Sequence, residues 1–160
     1  MRNALLGSTG KDVKYIDLNV LRLGNSLNDA GEKFLKDGDR KSAAECFAKY
    51  ADEIKERGIF SIAAESYWKA MSISNGIGDA ETSRLYGTKA IDCYLDAADK
   101  FMAEGNKPLK NSNLQRLEVF NACKTALEIA EVLRDEEQIA RCNSKRKDLL
   151  MQLKPSLRRI

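Results

Sequence analysis

The sequence predicts an all-α domain of about six helices, joined as antiparallel hairpins that stack on one another. Three observations lead to this fold class. Helix-forming residues are abundant, while the 160 residues include only two prolines, Pro108 and Pro155. Apolar residues recur at three- and four-residue spacing, and no segment alternates as a strand would. Short turn sequences separate the amphipathic segments, so that consecutive helices reverse direction.

Turn-forming residues place the ends of the helices. Gly38, Gly58 and Gly78 each follow a helical pattern, and a glycine there supplies the left-handed C′ position. Asp39 and Asp79 come directly after two of these glycines and are suited to cap the next helix. The predicted helices span 12–36, 40–57, 59–75, 79–104, 112–134 and 136–153.

Each predicted helix carries an apolar stripe that it cannot bury alone. Small residues alternate with aromatic residues on these stripes, which lets neighbouring helices approach closely. The stripes therefore predict helices packed in pairs. In chain order they include Val13, Ile16 and Val20; Phe47, Tyr50 and Ile54; Ile62, Tyr67 and Met71; Tyr86, Cys93 and Phe101; Leu117, Phe120 and Leu127; and Ile139, Leu149 and Leu150.

Parts of the sequence repeat in residue type. Ala44–Phe47 parallels Ile91–Tyr94, and an Ala-Asp pair follows each, at Ala51–Asp52 and Ala98–Asp99. Repeats of one helix pair are typical of solenoids, in which each unit buries its apolar face against a neighbour.

The segment Ala44–Asn75 resembles a tetratricopeptide repeat, and the long helices are similar to those of the soluble NSF attachment proteins. The helix at 79–104 is longer than a standard repeat helix, and the loop at 105–111 breaks the period. The resemblance therefore implies an irregular, right-handed, tetratricopeptide-like α-solenoid. The residues that carry it are Phe47, Tyr50, Ala51 and Ile54 in the first helix of the repeat and Ala63, Tyr67 and Ala70 in the second.

What the resemblance implies for function is a groove that docks a peptide or a helix of another protein. One subgroup of the family holds C-terminal carboxylates in a clamp of basic and Asn side chains. Ala48 and Asp52 stand at the corresponding positions here, so chaperone-tail binding is not expected. We therefore expect a non-catalytic scaffold or adaptor for protein–protein interaction.

The residue types needed for most catalytic and metal sites are missing. The chain has no histidine, which removes the commonest general base and the commonest metal ligand. Zinc sites usually pair ligands at short spacing, whereas the four cysteines are far apart and lie within helical stripes. We expect no cofactor, no metal and no enzymatic activity. The cysteines are Cys46, Cys93, Cys123 and Cys142.

The predicted helix 79–104 has a second stripe beside its first. A helix that is apolar on two sides is either packed centrally or lines a groove, and the sequence leaves both alternatives open. Tryptophan is mostly buried in folded proteins but is also over-represented at interfaces. The candidate partner-binding residues are Trp68, Arg84, Thr88, Ile91, Leu95 and Met102.

Positive charge is concentrated at the C-terminal end. Residues 141–160 include seven basic residues and one acidic residue, and the other 140 residues include 20 basic and 23 acidic ones. Basic side chains suit a helix C-terminus electrostatically. The alternative is binding to nucleic acid or an anionic surface, although no aromatic residue is available there to stack on bases. The candidate basic patch consists of Arg141, Lys145, Arg146, Lys147, Arg158 and Arg159.

The domain organisation is predicted to be simple. Residues 1–10 form a flexible N-terminal segment, 11–153 the helical domain and 154–160 a basic tail. No apolar run approaches the ~18 residues that a membrane span needs. The isolated cysteines favour a reducing, cytoplasmic location. Another protein is the expected partner; nucleic acid is not, and self-assembly into a homodimer is a further alternative because the end of a solenoid can pair.

Overall fold

The computed structural model describes residues 18–104 and 112–153, and every described secondary-structure element is an α-helix. The predicted all-α class is confirmed. Each described helix end lies within two residues of its predicted position, while the predicted start at residue 12 and the segments 1–10 and 154–160 lie outside the described residues. The helices are α1 (Leu18–Lys36), α2 (Arg40–Glu56), α3 (Phe60–Gly76), α4 (Ala80–Glu104), α5 (Ser112–Val132) and α6 (Glu136–Leu153).

Four three-residue links connect the helices, and each has a left-handed residue at its centre. Gly38, Gly58 and Gly78 have φ angles of 82°, 72° and 80°, as glycine at C′ predicts. Arg134 occupies the same position in the α5–α6 link with φ 52°. At each link the left-handed N–H and the following N–H donate back to the preceding turn, as Arg134 does to the Glu131 carbonyl at 3.0 Å. The links are therefore closed, hydrogen-bonded turns.

Aspartates cap three of the four helices that follow these links. The Oδ1 atoms of Asp39, Asp79 and Asp135 accept the backbone N–H of the residue three positions later at 3.0–3.1 Å. The Ser42 side chain and N–H donate to Asp39 and hold the pKa of that carboxyl below its ordinary value. The α3 helix begins after Ile59, which provides no side-chain cap.

The helices pack in chain order. Each helix contacts the next one, and α4 additionally contacts α6. Ala90, Ile91 and Cys93 of α4 are all fully buried. Because these positions project in different directions from a helix, α4 is enclosed on several sides and forms the centre of the described part of the chain.

Small residues allow the close approach of the helices. Ala51, Ala63 and Ala70 have no exposed surface, and Phe47 and Tyr67 are equally buried beside them. This confirms their predicted place in the core. Burying one such aromatic side chain contributes about 1.5–3 kcal/mol, so the alternation of alanine and aromatic residues is a main source of stability.

Candidate functional site

The second stripe of α4 is mostly part of the core. Ile91 is 0% and Leu95 4% exposed, whereas Thr88 and Met102 are half-buried. Of the two alternatives, central packing is therefore the one that applies to Ile91 and Leu95, which do not line a solvent-facing groove. The physical reason is the position of α4 in the middle of the helix order, with neighbours before and after it.

Arg84 and Trp68 remain accessible to solvent. The Arg84 Nη1 donates to Oδ2 of Asp135 in the α5–α6 link at 3.1 Å, so its charge already has a partner within the chain. Trp68 is 37% exposed on α3, next to the fully buried Tyr67. Of the six candidate residues, Trp68 is thus the large apolar side chain most exposed to a partner.

A different stripe of α4 faces solvent. Leu85, Asp92, Asp96 and Asp99 follow one another at three-, four- or seven-residue spacing and lie on one side of the helix. Leu85 and Asp99 are exposed, and Asp92 and Asp96 are half-buried. This side of α4 offers one apolar and three acidic side chains to a partner.

Ion pairs join this side of α4, which also includes Lys89, to α6 and to α2. In α6, Arg141 Nη1 lies 2.5 Å from Asp92 Oδ1, and Lys145 Nζ lies 2.6 Å from Asp99 Oδ2. Towards α2, Lys89 Nζ lies 3.0 Å from Asp52 Oδ1. Every one of these pairs joins helices that are two apart in the chain. We call the surface that they span the charged face; its residues are Asp52, Leu85, Lys89, Asp92, Asp96, Asp99, Arg141 and Lys145.

Asp52 connects the charged face to the core. The hydroxyl of buried Tyr67 donates to Asp52 Oδ1, the oxygen that Lys89 also contacts. Lys89 Nζ lies 5.3 Å from the centre of the Tyr67 ring, within range of a cation–π contact. Burial, together with the hydrogen bond to Asp52, raises the pKa of Tyr67 well above its ordinary value. The phenol therefore stays protonated and acts as a donor that orients Asp52.

The candidate basic patch is divided between two environments. Arg141 and Lys145 face the carboxylates of α4, and the Arg141 Nη1 also donates to Gln138 at 3.2 Å. Arg146 is half-buried and Lys147 is exposed. Arg158 and Arg159 lie outside the described residues. Two of the four described members are thus neutralised by acidic neighbours, which weakens the patch as a phosphate-binding surface.

The thiols are buried rather than reactive. Cys93, Cys123 and Cys142 have almost no exposed surface, and Cys46 is half-buried. Burial raises the pKa of Cys93 and of Cys123 to about 11, so both remain protonated at neutral pH. Within 18–104 and 112–153, no group of three or more Cys, Asp or Glu side chains is arranged to hold a metal ion.

The charged face can be traced in the sequence from the spacing of its charged residues, although the apolar pattern alone does not show it. Asp92, Asp96 and Asp99 have helical spacing, and Arg141 and Lys145 are four residues apart. Charges of opposite sign at helical spacing on two helices indicate a paired surface once the helices are known to be neighbours. That adjacency is a tertiary fact, so spacing alone could not join the two sets.

Comparison of the chain with protein families, with curated proteins and with solved structures finds no match. Function is therefore inferred from the geometry.

Proposed function

We propose that the chain is a non-catalytic scaffold for protein–protein interaction, built as an irregular, right-handed, tetratricopeptide-like α-solenoid of antiparallel hairpins. The observation that carries the proposal is the chain-order packing of the helices, with ion pairs between helices two apart. In a stack of hairpins, alternate helices lie side by side in one layer, and such pairs span that layer. The α2, α4 and α6 helices then form one continuous surface.

The charged face is the proposed docking surface. Asp92 and Asp99 are paired with α6, whereas Asp96 between them forms no ion pair with any of the described residues. Leu85 provides exposed apolar area on the same side of α4. These features fit a peptide or helix that places a basic side chain against Asp96 and an apolar side chain against Leu85, with the paired charges as a polar rim.

A charge substitution tests this surface. In the proposed complex, Asp96→Lys places a positive charge against the basic residue of the partner, and we expect binding to fall at least tenfold. The measurement is recovery of partner proteins from native lysate by the purified chain, followed by titration of the recovered partner. Glu131→Lys, on the exposed side of α5, is the matched control and should bind as the unsubstituted protein does. Equal binding by both variants would reject the charged face as the docking surface.

Binding of nucleic acid or an anionic surface through the basic patch is the weaker candidate. The Arg141–Asp92 and Lys145–Asp99 pairs place acidic oxygens within 2.6 Å of two of the cations that it requires. A phosphate would have to displace these carboxylates from Arg141 and Lys145, or share the two cations with them. The test is chromatography on a heparin column. Elution without retention at low salt would agree with the scaffold proposal, and retention that falls steeply with salt concentration would favour this alternative.

The location that we propose is the cytoplasm. Three buried free thiols suit a reducing compartment. Among the described helices, none is both long and apolar enough to cross a membrane.

A further inference from the structure

The α5–α6 link differs from the other three in its central residue. Gly38, Gly58 and Gly78 adopt the left-handed conformation without a side chain, whereas Arg134 adopts it with one, at φ 52°. A β-carbon in this region is strained against the neighbouring carbonyl oxygen. The closed turn at Leu133–Asp135 is therefore under a strain that the glycine links avoid.

The sequence around this link is compatible with an uninterrupted helix. From Ser112 to Leu153 there is no glycine and no proline, and Leu133 and Arg134 are both favourable helix residues. The other three links each contain the helix-breaking glycine. Opening the α5–α6 link can thus convert α5 and α6 into one long helix and release the strain at Arg134.

The surface on which α6 packs is formed by α4 and α5, and it would remain if α6 moved away. The buried side chains of α6 are Cys142 and Leu149, and the helices on which it mainly packs are α5 and α4. Arg141 and Lys145 fix it to Asp92 and Asp99 of α4. We call this surface of α4 and α5, marked by Asp92 and Asp99, the α6 socket.

We propose that α6 exchanges between two copies of this chain, giving a domain-swapped homodimer in which each α6 occupies the socket of the other copy. The Arg141–Asp92 and Lys145–Asp99 pairs and the buried contacts of α6 are the same in the monomer and in the dimer. The exchange is reciprocal, so the assembly closes with twofold symmetry. Because the socket contacts are unchanged, the monomer–dimer balance at a given protein concentration is decided at the link.

Contacts at the link oppose the exchange. Arg84 pairs with Asp135, Asp135 caps α6 through the Gln138 N–H, and Leu133 lies in the recess at Gly87. A β-carbon at Gly87 would be 2.6 Å from Leu133 Cδ1, which shows how closely the link packs on α4. These contacts favour the closed monomer, and the strain at Arg134 favours the open dimer.

A pair of charge-reversed chains tests the exchange directly. One chain carries Asp92→Lys and Asp99→Lys, and the other carries Arg141→Glu and Lys145→Glu. Alone, each chain opposes like charges across α4 and α6, in the monomer and in the homodimer alike. In the swapped heterodimer both sockets regain opposite charges. After co-refolding, native mass spectrometry and light scattering should find a 1:1 heterodimer; helical monomers that stay separate would overturn the proposal.

The unsubstituted chain provides a second measurement that does not depend on those variants folding. Sedimentation over a range of concentrations gives the dimer dissociation constant. Arg134→Gly removes the strain from both closed links and should weaken the dimer by about a hundredfold, about tenfold for each link. Arg84→Gln loosens the closed link and should strengthen it. A chain that stays monomeric at millimolar concentration, or a constant that Arg134→Gly leaves unchanged, would contradict the exchange.

Discussion

Gly31 of α1 lies against the ring of Phe47 in α2, so closely that a β-carbon at position 31 would be 2.8 Å from Cζ of the ring. The ring is fully buried, and Nζ of Lys69, a residue of α3, lies 4.1 Å from the centre of the ring. Phe47 thus joins three helices, and the absence of a side chain at Gly31 is what admits it.

Gly31→Ala should destabilise the protein. Alanine normally stabilises a helix by about 1 kcal/mol relative to glycine. Here the added carbon would overlap the Phe47 ring, which is enclosed by the core and cannot move away. We expect a net loss of about 1–3 kcal/mol in the free energy of unfolding, measured by chemical denaturation. Gly76→Ala is the control, because its β-carbon would meet nothing closer than Arg40 Nη1 at 3.8 Å. Equal stability of the two variants would show that Gly31 and Phe47 do not approach each other this closely.

Arg134→Gly should stabilise the closed monomer. A non-glycine residue at a left-handed φ costs roughly 1–2 kcal/mol, and glycine removes that cost. Thermal unfolding at a protein concentration low enough to exclude dimers measures the gain. Gly58→Ala makes the opposite change at the equivalent position, where φ is 72° and no neighbour lies within 4 Å. It should lose about 1 kcal/mol by strain alone. Changes of the same sign in both variants would contradict the account of the links.

Ile91→Asp should unfold the chain, although Leu85→Asp on the same helix should not. Ile91 is buried at the centre of the helix order, so a carboxylate there would be desolvated without a partner, at a cost above about 4 kcal/mol. Leu85 is 54% exposed, and the same substitution there should change stability by no more than about 0.5 kcal/mol. Circular dichroism compares them. A helical, cooperatively unfolding Ile91→Asp variant would return the second stripe of α4 to the candidate partner surfaces.

Stability should fall as pH rises from about 9 to about 11. The thiols of Cys93 and Cys123 have a pKa of 9.0 when unperturbed and of about 11 in the folded chain. In this window the unfolded state has lost protons that the folded state keeps, so the free energy of unfolding decreases with pH. Each thiol adds a slope of at most about 1.4 kcal/mol per pH unit.

Denaturation curves of the Cys93→Ala, Cys123→Ala double variant check this prediction. Its stability should depend less on pH between 9 and 11 than that of the unsubstituted chain. Cys46→Ala is the control, since that side chain is only half-buried. An unchanged slope in the double variant would mean that the two thiols titrate alike in the folded and unfolded states.

The ends of the helices could be predicted from sequence because they depend on local chemistry. A glycine at C′ and an aspartate at the next position specify a turn within a few residues, as at Gly38–Asp39 and Gly78–Asp79. Which apolar residues are covered depends on the neighbours of each helix instead. Leu117 and Phe120 belong to the predicted stripe of the fifth helix, yet they are 54% and 44% exposed.

The candidate site was harder to predict for the same reason. Ile91 and Asp92 are adjacent in the sequence, but one faces the core and the other faces α6. Both stripes of α4 have helical period, and the hydrophobic pattern does not say which side a later helix will cover. The order of packing decides it, and that order is a property of the assembled helices.

The chain-order packing also sets where the molecule opens first. Among the described helices, α1 and α6 each have a chain neighbour on one side, whereas α4 is held from both directions. Amide hydrogens in α1 and α6 should consequently exchange with solvent sooner than those in α3 and α4, because less packing has to be broken to open them. A protease would then cut within α1 and α6 first and leave the α3–α4 pair as the last resistant fragment.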